Sequence, residues 1–155
     1  MRLPTSEIYT EIEIAASAQR VWQVLTDFPA YPQWNSVVSE IRGEMKVGGR
    51  LVVRVPVPGG LRIRLRVRVL RVEAERELRW RGRLALSSLF AGEHALTIKP
   101  LSDRRVRFVQ SEVYTGLLAR AFFLIMGATN RRIFERMNEA LKARAESPPP
   151  KPDGI

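Results

Sequence analysis

The chain has 155 residues, with 26 Lys and Arg against 16 Asp and Glu, a formal net charge of +10 and no cysteine. This length suits one domain with a single core, and the missing thiols exclude a disulfide scaffold, a thiolate nucleophile and every cysteine-ligated metal. One histidine, His94, provides no His pair for zinc, and no apolar run approaches the ~20 residues that cross a bilayer.

Residues Met1 to Thr5 lack the apolar stretch of a signal peptide, so a cytoplasmic location is expected. Residues 7–14 alternate polar and apolar and predict a strand with Ile8, Ile12 and Ile14 inward. Ser17 stands at an N-cap position before Ala18 to Leu25, where Val21, Val24 and Leu25 share one helical face. Pro29 and Pro32 stop that helix, because proline disfavours helical backbone at the residue before it. From Val37 to Tyr114 the pattern is a meander of strands near 37–44, 49–56, 61–73, 76–84, 91–100 and 104–114. Gly48-Gly49, Pro58-Gly59-Gly60, Glu73 to Arg76 and Ser102-Asp103 supply the turns. Connections this short leave no room for crossover helices, so the sheet is antiparallel. After Gly116 the period changes to 3.6, and residues 117–144 predict one long helix. Residues 147–155 are proline-rich, have nothing to pack and are expected to form a disordered tail, leaving one domain over 1–146.

All the basic residues except Lys46, Lys99, Lys142 and Lys151 are arginine. Arg62, Arg64, Arg66 and Arg68 interleave with Ile63, Leu65, Val67 and Val69, the period of a strand with one wet face. They alternate with apolar residues instead of clustering with aromatics, which favours a solvated sheet face over a nucleic-acid site. The apolar run Leu117 to Met126 reads as helix buried on two sides; the alternative is an exposed patch that touches a membrane or a partner.

A strand, a short helix, six more antiparallel strands and a terminal helix make an α+β domain. Its seven-stranded sheet curls around a helix about 42 Å long at 1.5 Å per residue, and wherever that helix stands off the apolar face a pocket opens. Strand parity turns Leu51, Val53, Val55 and the odd-numbered Ile63 to Val69 inward, together with Leu78, Trp80, Leu84 and Leu86. Arg54, Arg79, Arg81 and Arg83 face out. In the last two strands Leu96, Ile98, Val106 and Phe108 fix even numbers as inward, and by the same parity His94, Gln110, Glu112 and Tyr114 point inward. The registers that bury both apolar sets pair His94 with Glu112, or with Gln110 if the turn shifts by one residue. A buried carboxylate must bond a neighbour, water or a ligand. Three readings of this patch stand side by side: an internal polar network, an anchor for a ligand's polar end, and an acid–base pair in which His94 or Glu112 moves a proton. Trp34 reads as a cavity wall or as a plug at the sheet's edge, and residues 55–60 as a lid or a rigid hairpin turn.

Several stretches carry a family resemblance: Ile12-Glu13-Ile14-Ala15-Ala16-Ser17 leading to Val21-Trp22, then Asp27-Phe28 and Tyr31-Pro32-Gln33-Trp34-Asn35. Gly92-Glu93-His94, Gln110-Ser111-Glu112, Gly116-Leu117-Leu118 and the helix end Met137 to Lys142 follow. Over residues 7–146 the chain resembles the START-like, or SRPBCC, superfamily with its helix-grip fold, and more narrowly the polyketide cyclase/dehydrase and lipid-transport branch. The resemblance implies a hydrophobic cavity between sheet and terminal helix that takes a lipid, sterol, polyketide, hormone or other apolar molecule. Members range from cyclases and aromatase/cyclases to lipid carriers, hormone receptors, oxygenase ligand-binding domains and co-chaperones. The oxygenase metal site needs two His, which His94 alone excludes, and the loop at 56–60 matches the receptors' gate in position but not in sequence. The expected ligand-facing set is Trp34, Val53, Leu65, Val67, Trp80, His94, Leu96, Phe108, Gln110, Glu112, Phe122 and Met126, with His94 and Glu112 as the pair for any catalysis. The expected partner is an apolar or amphipathic small molecule, with no nucleic acid, no stable membrane insertion, no metal and no cofactor, in a monomer or a homodimer.

Overall fold

The computed structural model describes residues 6–57, 59–84, 88–149 and 151. The inward placement of Leu86, the Pro58 position of its turn and the last residues of the expected tail lie outside that set, as does the side chain of Leu84. The chain runs β1 (Ser6–Ile14), α1 (Ala18–Thr26), a 3-10 turn (Phe28–Ala30), α2 (Tyr31–Trp34), β2 (Glu40–Gly43), β3 (Arg50–Pro56), β4 (Arg62–Glu73), β5 (Glu77–Leu84), β6 (Phe90–Ser102), β7 (Arg105–Thr115) and α3 (Ala119–Glu146). This is the expected α+β helix-grip fold.

Local chemistry accounts for the short helices. Ser17 Oγ accepts from the Arg20 N–H at 3.1 Å, capping α1, whose Val21, Val24 and Leu25 are buried. As expected, α1 ends at Thr26, before Pro29 and Pro32; each proline then sits in the first turn of a new helical segment, where no backbone donor is needed. Tyr31, fully buried, ties α2 back to α1 by donating to the Leu25 carbonyl at 2.6 Å. Asn35 Oδ1 accepts from the Val37 and Val38 N–H groups, and the β2 ladder starts only at Glu40, three residues later than the sequence pattern suggests.

All seven strands join one antiparallel sheet in the order β1-β7-β6-β5-β4-β3-β2. Its register sets inward-facing rows across the strands. One row reads Val69, Trp80, His94, Glu112, Ile8; the next toward the hairpin tips reads Val67, Gly82, Gly92, Tyr114. In the opposite direction come Leu78, Leu96, Gln110, Thr10 and then Ile98, Phe108, Ile12.

Helix α3 runs along β1 and β7 and is held at both ends. At its start Gly116 adopts φ +110°, and a Cβ there would stand 2.5 Å from the Leu89 carbonyl oxygen, so only glycine fits this turn. The Leu117 and Leu118 N–H groups donate to the Ser88 and Leu89 carbonyls at 3.1 and 3.0 Å, fixing the helix start to the β5–β6 connection. At its end the Arg20 guanidinium donates to the carbonyls of Arg144, Ala145 and Ser147, where orphan carbonyls and the helix dipole favour a cation. In between, Asn138 donates to Thr10 Oγ1 at 2.9 Å. Met137 and Leu141 pack into the core with Leu96, Ile98, Val106 and Phe108. The first turns of α3 depart from the expected two-sided burial: Leu117, Leu124 and Ile125 are 71%, 75% and 76% exposed.

Candidate ligand-binding site

Between α3 and the β3–β6 half of the sheet lies a cavity of about 620 Å³, lined mostly by apolar side chains. Two features of the sequence keep it open. Gly82 and Gly92 face each other on β5 and β6 at inward positions, so the floor carries no side chains there. Beside them, Ile63 and Leu65 of β4 face inward and line the hollow, yet remain 42% and 43% exposed. Packing tightens along the same strand to Val67 and Val69, which are buried.

Five polar side chains of the wall, His94, Gln110, Glu112, Tyr114 and Asn130, form one cluster. His94 lies flat against Trp80, with ring centroids 5.2 Å apart and planes 9° from parallel, and meets the edge of Phe134 at 4.9 Å. Clamped in this way, the imidazole acts only through its nitrogens. Gln110 Nε2 donates to His94 Nε2 at 3.0 Å, which puts the ring proton of the neutral form on Nδ1, 3.7 Å from Glu112 Oε2. That carboxylate oxygen also accepts from the Tyr114 hydroxyl at 2.8 Å, and the hydroxyl in turn accepts from Asn130 Nδ2 of α3 at 2.9 Å. Burial, reinforced by the Glu112 charge, pushes the Tyr114 hydroxyl well above its ordinary pKa and keeps it a donor. Glu112 Oε1 has no hydrogen-bond partner among the described residues. It lies so close over Gly92 that a Cβ there would stand 2.8 Å away. The wall thus presents an ionisable acceptor with one oxygen open, held by a relay running from helix to sheet.

The structure brings most of the expected residues together. Val53, Leu65, Val67, Trp80, His94, Gln110, Glu112, Phe122 and Met126 line the cavity, and the His94–Glu112 pairing is the register found. Three do not line it. Leu96 and Phe108, fully buried, have the correct parity but lie one and two rows nearer the closed end, where α3 meets the sheet. Trp34 packs edge-on against Tyr31 at 4.8 Å and borders a separate pocket of about 220 Å³ with Arg20, Asp27 and Arg144. Arg64, Arg66 and Arg83, expected on the wet face alone, also border the main cavity. Asn130, outside the expected set, also lines it and continues the helical spacing of Phe122 and Met126 toward Phe134 and Met137. Tyr114, inward by parity, lines the cavity as well. Among the described residues no group of three or more His, Cys, Asp or Glu is placed to hold a metal ion. Among the described residues no helix is long and apolar enough to cross a membrane.

Solved structures share this architecture. The chain superposes on the Zhui aromatase/cyclase from Streptomyces sp. R1128 with a TM-score of 0.76 at 16% identity, covering 92% of this chain and 94% of that one. It superposes on a point mutant of norcoclaurine synthase from Thalictrum flavum with a TM-score of 0.70 at 18% identity, covering 94% and 96%. At these identities the likeness is one of fold. A search of curated proteins finds no match. The sequence-level assignment comes from a family model that matches residues 5–146, nearly the whole domain, and by it the chain belongs to the polyketide cyclase/dehydrase and lipid transport family.

Proposed function

We propose that the protein holds an apolar or amphipathic small molecule, such as a lipid or a polyketide, for carriage or sensing, with its polar end against Glu112, His94 and Gln110. The observation that carries this reading is a largely apolar hollow of about 620 Å³ with its buried polar groups gathered in one patch of wall. Protein interiors are otherwise packed to crystal density, and ligand sites combine an apolar lining with a few convergent polar groups. Removing about 300 Å² of ligand apolar surface from water is worth about 7 kcal/mol before ordering costs. The lining therefore supplies affinity, and the open oxygen of Glu112 selects a ligand that brings a donor such as a hydroxyl group. Native mass spectrometry of protein from its own host, with identification of the co-purifying molecule, names the ligand. Titration with that molecule then compares Glu112→Gln with Arg104→Gln, an exposed position in the distant β6–β7 turn. Loss of affinity in the first alone is expected; equal losses overturn the assignment.

A second reading, a cyclase- or dehydratase-like proton transfer, is favoured by the approach of His94 Nδ1 to Glu112 Oε2 inside the cavity wall. Product formation from a ketide-like substrate that disappears in His94→Ala supports it. Binding without product returns the site to simple capture.

A further inference from the structure

The rim of the cavity has a surface chemistry of its own. The β3–β4 connection, the β5–β6 connection and the start of α3 meet at one end of the sheet, as the strand register and the pinning of Leu117 and Leu118 to Ser88 and Leu89 require. At that end Leu61, Leu89, Leu117, Leu118, Leu124 and Ile125 are all exposed, four of them by more than two-thirds. Six large aliphatic side chains presented together are unusual on a surface with no apolar partner. The charge there is just as one-sided. Residues 57–66, 82–90 and 116–125 contain Arg62, Arg64, Arg66, Arg83 and Arg120 and not one Asp or Glu. All five arginines are exposed and none forms an ion pair among the described residues; Arg62 also donates to the Ser36 and Val37 carbonyls at 2.9 Å.

We propose that this end is a peripheral docking surface for an anionic lipid bilayer. The aliphatic side chains enter the interfacial layer, and the arginines meet the headgroups. Apolar area combined with basic charge is the pairing that holds a protein on such a surface without crossing it. A second copy of the chain fits less well, since a two-fold contact through this end would set arginines against arginines. Docked in this way, the protein turns the part of the cavity lined by Leu118, Pro56 and Val57 toward the membrane. The docking rests on the surface alone, so it stands or falls independently of what the cavity holds.

The test is cosedimentation of the full chain with vesicles of phosphatidylcholine alone and of phosphatidylcholine mixed equally with phosphatidylglycerol. Binding to the mixed vesicles is expected to be at least about tenfold tighter and to weaken as salt rises. The double variant Leu124→Ser, Ile125→Ser changes two side chains that are three-quarters exposed and do not line the cavity. It is expected to bind the mixed vesicles about tenfold or more weakly while its thermal unfolding stays unchanged. No sedimentation with either vesicle, equal binding to both, or full binding by the double variant overturns the proposal. So does a dimer of the parent chain that the double variant dissolves, because the face is then covered by a second copy.

Discussion

Replacing Tyr114 by Phe isolates the polar relay from the packing around it. The phenylalanine ring keeps the contacts with Phe90 and Phe122, whose centroids lie 5.7 and 5.0 Å away, and only the hydroxyl is lost. That hydroxyl makes two hydrogen bonds, to Glu112 Oε2 at 2.8 Å and from Asn130 Nδ2 at 2.9 Å, in a residue only 2% exposed. A neutral hydrogen bond contributes about 1 kcal/mol and one to a carboxylate about 2 kcal/mol, while relief of the hydroxyl's own burial offsets part of the loss. A net destabilisation of about 2 kcal/mol is expected, or about 4–8 °C in Tm for a domain of this size. Urea unfolding measures it, with an unchanged slope showing that the unfolded state is not the cause. Tyr9→Phe is the control: its hydroxyl meets Glu11 at 2.9 Å on a residue 44% exposed, and its loss is expected to cost only about 0.5 kcal/mol. Combining Tyr114→Phe with Asn130→Ala is expected to give an interaction energy of at least about 0.5 kcal/mol. A Tyr114→Phe cost no larger than the Tyr9→Phe cost, or strict additivity with Asn130→Ala, refutes the relay.

The same chemistry governs alkaline stability. Burial raises the Tyr31 and Tyr114 hydroxyls above their ordinary value, so the folded state prefers their neutral forms. That preference contributes fully below about pH 10 and is lost as pH rises beyond it. Absorbance titration is expected to show Tyr9 ionising in the folded protein, somewhat above its ordinary range because of Glu11, and the other two only on unfolding; three tyrosines ionising together without unfolding contradicts their burial. A further contrast separates core from hollow. Leu96→Ala, at a fully buried position, is expected to cost about 2–5 kcal/mol, and Leu65→Ala, at the cavity edge, about 1 kcal/mol by chemical denaturation. Equal costs at the two positions are incompatible with the cavity.

Much of the fold was legible because a strand's period of two leaves little freedom once one face is buried. Ile8, Leu96 and Phe108 have to point one way, and His94, Gln110 and Glu112 share their parity, so burial alone narrows the partner of His94 to Glu112 or Gln110, and the β6–β7 turn decides for Glu112. What parity does not report is depth. Leu65 and Leu96 both face inward, yet one borders an open hollow and the other is sealed, because their distances from the hairpin tips differ relative to the helix. That distance depends on the side chains of α3, α1 and β1 together. The apolar run at 117–126 departs from two-sided burial for a related reason: Leu118, Ala119, Phe122, Phe123 and Met126 face the cavity or the core, and among the described residues no element covers Leu124 and Ile125. Gly82 and Gly92 carried a readable signal, since both occupy inward positions by the parity of their own strands.

The hollow is built in from the start rather than left by poor packing. A helix fastened to the Ser88–Leu89 connection at one end and to Arg20 at the other cannot settle onto the sheet to close a gap beneath it. With the helix fixed at that height, volume is decided by the floor, and the floor opposite its first turns is two glycines followed by Ile63 and Leu65. The polar cluster stands at the boundary between this bare floor and the sealed core, where Trp80 and Phe134 clamp His94. A carboxylate placed there is close enough to the core to be held by Tyr114 and close enough to the hollow to keep one oxygen open. Deeper it would lie buried without enough donors, and nearer the mouth water would saturate it.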